Sequence, residues 1–448
     1  MSPPDAQTYW ISRKIPTDQF LLYCFDAPER GLDAVRIELL ARAGAVADLR
    51  LRVREVPFHA DYPYWVPGEI DGSQVVLHET ATDWAGCRSA VEELLTGRLD
   101  PRETPWRLHL FGVAEGAPGG DGAAAVAVLQ VAHALADGRR ASGLARELFG
   151  PHPTGSGARP APWRPASALV RAVARLPMQL AELAAAAPRA HRTHQDLERG
   201  TADGSIPPSP PSRPKGLTNA RPDERRQIRT VVRNAADLRG DGVTVTVGAM
   251  TAISLALTRY LQARGRADGL VAEVTVAKPG AALARNHFRN VAVDLHPETA
   301  DLRERAAAIA ASLARARVRG EHPAAAAADR ALRGVPGPLV RWGVEQFDFT
   351  AVPDAVTGDT VVSSVDRGPA DLRLGGGAVR FTSGFPALSQ FMGLTHGVHG
   401  IGDTVTIGVA TSPAVLDDVD EYERLLHQAV DEVRDAVSAP NRRGEPIV

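Results

Sequence analysis

Apolar positions along the chain alternate between two periods. Leu32, Val35, Leu39 and Ala43 recur at helical spacing, and Leu49, Leu51 and Val53 then alternate with Arg50, Arg52 and Arg54, as in a half-buried strand. Val91, Leu94 and Leu95 mark a further helix that stops at Gly97. Residues 123–131 (AAAVAVLQV) are a nearly unbroken apolar run of strand length, the pattern of a central strand covered on both faces. The same succession restarts in the second half. Met250, Ile253, Leu257 and Tyr260 form one helical stripe, ended by Gly265, and Leu302, Ala306, Ile309 and Leu313 form another. Residues 404–411 alternate strictly, and Val419, Tyr422, Leu426, Val430, Val433 and Val437 predict a closing amphipathic helix. The expected class is α/β, with two lobes that are each a mixed sheet with covering helices.

Two runs rich in Pro, Gly and Ser, residues 151–165 and 206–215, read as exposed connectors. Residues 166–200 between them are helix-prone, with breaks expected at Pro177 and Pro188. The division predicted is a first lobe over 1–199, a Pro-rich linker over 200–215 and a second lobe over 216–448. A chain of 448 residues exceeds what one ordinary core organises, which agrees with two lobes.

Composition narrows the function. The formal charge of −2 offers no basic field for nucleic acid. Two cysteines, Cys24 and Cys87, supply neither a disulfide framework nor a four-ligand zinc site, as expected of a reducing compartment. No signal-peptide pattern opens the chain and no apolar stretch is long enough to span a bilayer, so a cytoplasmic location is expected. Three lysines against 48 arginines read as codon bias.

The sharpest local feature is His133-Ala134-Leu135-Ala136-Asp137-Gly138, between the buried strand and a helix carrying Leu144 and Leu148. A histidine leaving the end of a buried strand can reach a cleft, and a neutral imidazole takes a proton near pH 7, as a general base must. Asp137 is expected to fix the loop, paired with an arginine, and Gly138 to supply a sharp turn at positive φ. The competing reading is a buried structural histidine beside an Asp-Gly turn.

In this setting the chain resembles the bacterial wax ester synthase/diacylglycerol acyltransferases, within the superfamily of chloramphenicol acetyltransferase and the condensation domains of peptide synthetases. The family's His-His-x-x-x-Asp-Gly stands here as Ala132-His133-Ala134-Leu135-Ala136-Asp137-Gly138. Weaker similarities follow in order along the chain: residues 49–53, Leu99-Asp100 with Pro105-Trp106, Leu217-Thr218-Asn219 with Arg225-Arg226, Arg289-Asn290 before Asp294-Leu295, and residues 393–409. The resemblance implies two chloramphenicol-acetyltransferase-like lobes forming a pseudo-dimer, with a tunnel between them and His133 near its middle. It also implies acyl transfer from a thioester, coenzyme A or a phosphopantetheine carrier protein, to a hydroxyl or amine, with no resident cofactor and no metal. No covalent acyl-enzyme is implied, and no G-x-S-x-G elbow is present.

Departures from the family lie around the pocket. The first histidine of the pair is Ala132, the family's Asn-Asp is Thr246-Val247, its Ser-Asn-Val-Pro-Gly-Pro reads as residues 363–369 (SSVDRGP), and Thr104-Pro105 precedes Trp106. The base is kept while its surroundings change, which points to an acceptor other than a glycerolipid. The resemblance makes Thr246, Ser363 and Ser364 candidate oxyanion donors, with Asn290 and Trp106 as candidate pocket residues. Two rival readings are a stand-alone condensation-type ester or amide synthase of secondary metabolism using carrier-bound substrate, and a non-catalytic acyl-binding homologue.

Other features read as structural. On a strand, His396 and His399 fall on opposite faces and do not share a metal. His191 and His194 are expected at the surface, Gly375-Gly376-Gly377 in a turn, and Cys24 and Cys87 as small fillers. Residues 167–183 are expected to pack on their own lobe, with peripheral membrane contact as the alternative.

Overall fold

The computed structural model describes residues 1–151, 163–265, 269–351 and 353–438; most of the first predicted connector, 152–162, lies outside them. The helices are α1 (Pro3–Ser12), α2 (Leu32–Ala45), α3 (Trp84–Leu94), α4 (Gly138–Phe149), α5 (Pro165–Ala202), α6 (Val245–Gln262), α7 (Leu302–Gly320), α8 (Pro323–Gly334), α9 (Gly337–Gln346) and α10 (Val419–Ser438). The strands that build the two large sheets are β1 (Gln19–Asp26), β2 (Val75–Leu77), β3 (Trp106–Glu115), β4 (Ala124–Val131), β5 (Gln227–Asn234), β6 (Val271–Ala277), β7 (Phe288–Asp294), β8 (Thr360–Asp366), β9 (Gly377–Phe385), β10 (Thr395–Ile401) and β11 (Thr404–Thr411).

The first sheet runs β9-β1-β4-β3-β2 with short strands at its margins, and the second β7-β6-β8-β10-β11-β5. Both mix parallel and antiparallel pairs: β3 takes β2 in parallel and β4 antiparallel, while β8 lies parallel to β6 and β10. The apolar run 123–131 becomes β4, buried along its whole length between β1 and β3. Val35 and Leu39 of α2, with Leu144 and Leu148 of α4, cover one face of this sheet. The other face packs on Cys87 and Val91 of α3, and on Ile228 and Ala410 from the second sheet. The second lobe closes its own core between α6, α7 and α10.

Strand β9 comes from the second half of the chain yet completes the first sheet beside β1. Where it passes the second sheet, three glycines meet. A Cβ on Gly397 would fall 2.0 Å from the Gly384 carbonyl oxygen, and one on Gly408 would fall 3.0 Å from it. Any side chain there would push the two sheets apart.

Two expectations change. Helix α5 runs unbroken through Pro177 and Pro188. It touches the first lobe near its start, where the Arg171 guanidinium stands 5.5 Å from the centre of the Tyr64 ring, but most of its packing is elsewhere. It lies against α8, where a Cβ on Gly334 would come within 2.6 Å of the Leu183 amide nitrogen, so this packing supports the helix despite its prolines. Val170, Val173 and Met178 on its outer side are exposed. No helix among the described residues is long and apolar enough to cross a membrane.

Candidate active site

Past the end of β4 the chain turns through Ala132 and His133. The turn is closed by Leu135 N–H donating to the Ala132 carbonyl (2.8 Å), and Gln19 Nε2 donates to the Ala136 carbonyl (2.8 Å). Asp137 caps α4: its Oδ1 accepts from Arg140 N–H at 2.9 Å. Its Oδ2 accepts from His287 N–H at 3.0 Å, and its own N–H donates to the Arg285 carbonyl at 3.2 Å. The expected arginine partner is therefore met by backbone rather than by a guanidinium. The Arg285 guanidinium turns instead to Asp48 (2.8 Å) and the Leu135 carbonyl (3.2 Å).

Gly138 also differs from expectation. It is the first residue of α4 and is not among the residues with positive φ, because the extended Asp137 makes the turn. What its missing side chain allows is contact: a Cβ there would stand 3.4 Å from Val365 Cγ2 of β8.

Residues 285–288 come from the second half of the chain and clasp this loop. Asn286 is the bridge. Its Nδ2 donates to the His133 carbonyl (2.9 Å) and to Asp5 Oδ1 (3.0 Å), while its N–H donates to the same oxygen (2.9 Å). Asp5 Oδ2 accepts from Arg285 N–H at 3.0 Å. One buried carboxylate on α1 thus holds two successive amides of the second lobe against the histidine loop.

His133 is half-buried as a residue, and its ring leans on the Phe288 ring at 5.6 Å between centroids. Its Nδ1 is buried with no hydrogen-bond partner, and so is Asn286 Oδ1. Burial lowers the imidazole below its ordinary value, opposed by the carboxylates of Asp137 and Asp5. The ring is therefore neutral at pH 7, with one nitrogen able to accept a proton.

The remaining predicted residues separate. Thr246, in the first turn of α6, and Ser364 on β8 meet, with their hydroxyl oxygens 2.8 Å apart. Ser363 alternates to the other face of β8 and sits in register between Thr275 and Gly397. Asn290 stands on β7 beside Thr275, whose hydroxyl donates to it at 3.3 Å, and lines a cleft of about 610 Å³ in the second lobe. Trp106 lies away from any pocket, contrary to expectation. It is wholly enclosed in the first core, its Nε1 donating to the Leu49 carbonyl (2.7 Å), so it lines no pocket.

His396 and His399 do face opposite ways. His396 lies between Thr360 Oγ1 and the Tyr422 hydroxyl, each at 2.8 Å, whereas His399 lies beside Arg367 and Gly384. Arg367, in the altered 363–369 stretch, is buried with its guanidinium 4.9 Å from the centre of the Tyr23 ring. Among the described residues one group has metal-ligand character. Asp294, His296 and Glu298 bring ligand-type atoms within 4.8 Å, although His296 Nε2 is already engaged 2.8 Å from Ser312 Oγ.

Sequence reasoning missed Asp5, Arg285, Asn286, His287 and Phe288. For residues 285–288 the only signal was adjacency to Arg289-Asn290, which drew attention to the right segment a few residues late; for Asp5 there was none.

Residues 19–274 match the family model described as the wax ester synthase/diacylglycerol acyltransferase catalytic domain, and residues 285–434 match the corresponding C-terminal domain. No curated protein sequence matches. Among solved structures, the wax ester synthase/diacylglycerol acyltransferase from Marinobacter aquaeolei VT8 is 19% identical, with a TM-score of 0.62 over 97% of this chain and 99% of that one. The starter condensation domain of rhizomide synthetase RzmA, in complex with C8-CoA and Leu-SNAC, is 13% identical, with a TM-score of 0.54 over 98% and 95%. The first condensation domain of the CDA synthetase is 13% identical, with a TM-score of 0.54 over 96% and 95%. These structures share the two-lobed fold.

Proposed function

The chain belongs to the wax ester synthase/diacylglycerol acyltransferase family, and from that premise we propose that His133 is the general base of an acyl transfer from a thioester to a hydroxyl or amine. The observation that carries the reading is a half-buried histidine, with burial favouring its neutral form, on a loop that both halves of the chain hold. The imidazole takes the acceptor's proton as its oxygen or nitrogen bonds to the thioester carbonyl carbon. The tetrahedral adduct then collapses, the C–S bond breaks, and the imidazolium returns the proton to the leaving sulfur. No covalent acyl-enzyme forms and no resident cofactor takes part; coenzyme A or phosphopantetheine arrives as part of the donor.

Holding both reactants in line lowers the barrier by about 7–11 kcal/mol in favourable cases. The paired hydroxyls of Thr246 and Ser364 are the candidate donors to the oxyanion, with backbone N–H groups as further ones. The acceptor is specialised away from glycerolipids, a reading supported by the 363–369 stretch, which brings Arg367 into the interior where the family has a proline-bearing motif.

Replacing His133 by alanine is expected to cut turnover of an acyl-thioester by ~10²–10⁴ while thermal unfolding stays close to that of the parent. Turnover that survives the change would remove His133 from the chemistry. A second reading, a condensation-type ester or amide synthase fed by a carrier protein, is supported by the similarity to condensation domains over nearly the whole chain. Turnover with an acylated carrier protein but not with acyl-CoA would favour it.

A further inference from the structure

Where β9 crosses between the two sheets, a guanidinium is buried without an acid. Arg367 follows directly on β8 and is buried. Its N–H donates to the Gly400 carbonyl (2.9 Å) on β10. Its Nη1 donates to the Thr382 hydroxyl, which in turn donates to the Leu22 carbonyl (2.8 Å). Among the described residues Arg367 forms no ion pair. Burial lowers its pKa, and what opposes burial is Tyr23 rather than any carboxylate. A guanidinium stays protonated at every ordinary pH. A full positive charge is therefore enclosed with no neutralising partner, which is among the least favourable arrangements a fold can hold.

The polar groups around it are unsatisfied as well. Arg367 Nε is buried with no hydrogen-bond partner, and so are the Tyr23 hydroxyl, His399 Nδ1 and the Thr406 hydroxyl. These groups are neighbours. The Arg367 guanidinium carbon stands 4.9 Å from the centre of the Tyr23 ring. Arg367 Nη2 and His399 Nδ1 both flank Gly384, at 2.8 and 3.0 Å from where a Cβ on it would be. Thr406 stands opposite His399 in register on β11. Burial, and then the Arg367 charge, hold His399 well below its ordinary pKa. Its ring is neutral at pH 7 and still has one N–H to give. Enclosed waters would satisfy the hydroxyls and the ring nitrogens, but water leaves the charge unopposed. An anion does both.

We propose that Arg367, His399 and Tyr23 form a buried site for a compact monovalent anion, a carboxylate or a halide. Tyr23 belongs to β1 of the first sheet, Arg367 and His399 to the second lobe, and Thr382 to the strand that passes between them. An anion here is held by both lobes at once. The site stands whatever reaction the protein carries out; the acyl-transfer reading enters only in naming the source of the anion, a free ion or the carboxylate of an acceptor.

Thermal unfolding of the full-length protein tests this. Chloride, bromide or formate would replace a bulky sulfonate stepwise at fixed ionic strength, in the parent and in the Arg367→Met and Tyr23→Phe variants. We expect a saturable rise of a few degrees in the parent Tm and a flat response in Arg367→Met. In Tyr23→Phe the half-saturating concentration should rise about tenfold, the loss of one hydrogen bond to a charged group. Tyr23→Phe keeps the ring and the guanidinium, so it decides the matter even where Arg367→Met fails to fold. Crystals of the parent grown in bromide should show an anomalous peak beside Arg367. The two sources separate in turnover. Bromide that competes with a carboxylate-bearing acceptor, and not with the corresponding amide, makes the occupant the acceptor's carboxylate; bromide that leaves KM for every acceptor unchanged makes it a free ion. Equal Tm responses in the parent and both variants, or no bromide beside Arg367, would overturn the assignment and leave water as the partner of these groups. An Arg367-dependent anion response without turnover of any thioester would leave the anion site standing and dismiss acyl transfer.

Discussion

A general base works only while it is unprotonated, and the surroundings of His133 favour that state. Burial lowers its pKa from 6.5, so the acid limb of kcat/KM is expected below pH 6.5. A pH–rate profile on a thioester donor checks this; a limb at or above 6.5 would mean that the neighbouring carboxylates outweigh desolvation. The placement of the histidine's backbone depends on Asn286. Asn286→Ala would strip a donor from the His133 carbonyl and from the buried Asp5 carboxylate at once. The expected cost is about 1–3 kcal/mol in denaturant unfolding, with kcat falling more than KM rises. The histidine loop was legible in the sequence because strand, turn and helix cap are contiguous. Its fastenings were not. Asp5 and Asn286 are 281 positions apart, and neither belongs to a pattern that hydrophobic period or turn chemistry would single out.

At the scale of elements, periodicity served best where one face is buried. Residues 404–411 became β11 and the closing stripe became α10, while the fully apolar 123–131 became the central strand. It served worst where a distant partner overrides local preference. Pro177 and Pro188 each remove a backbone donor, yet α5 persists because it lies against α8. Trp106 follows a proline as a pocket aromatic might, but its indole N–H is consumed by the Leu49 carbonyl inside the core. Strand β9 carries no mark of its pairing with β1, more than 350 residues upstream. The crossing of β9 over the second sheet rests on absent side chains, so Gly397→Ala is expected to destabilise the protein by about 1–3 kcal/mol or more. Gly400→Ala on the same strand is the control. A Cβ there would have its nearest neighbour at 3.9 Å, and its effect in the same denaturation series should be small.

For the whole molecule, buried neutral histidines set the acid limit. Burial lowers His109 to about 4 and His396 to about 3, against 6.5 in the unfolded chain. Both are depressed, so their contribution is complete above pH 6.5. It fades as pH falls from 6.5 towards 4 for His109 and towards 3 for His396, because only the unfolded chain takes the protons. Each should remove about 1.4 kcal/mol per pH unit through its window. Denaturant unfolding at intervals from pH 7 to 4 measures the slope, and His396→Gln should reduce it by the share of one histidine.

The passage of β9 into the first sheet has a consequence for how such a chain can be divided or inherited. A gene truncated at the connector would encode a β1 with its backbone bare along one side, while the excised remainder would carry an orphan ribbon, Gly377–Phe385, with nothing to zip onto. Neither fragment is a module that recombination could shuffle alone. Each half completes the other's sheet edge, so the backbone of either is fully paired there only in the presence of both.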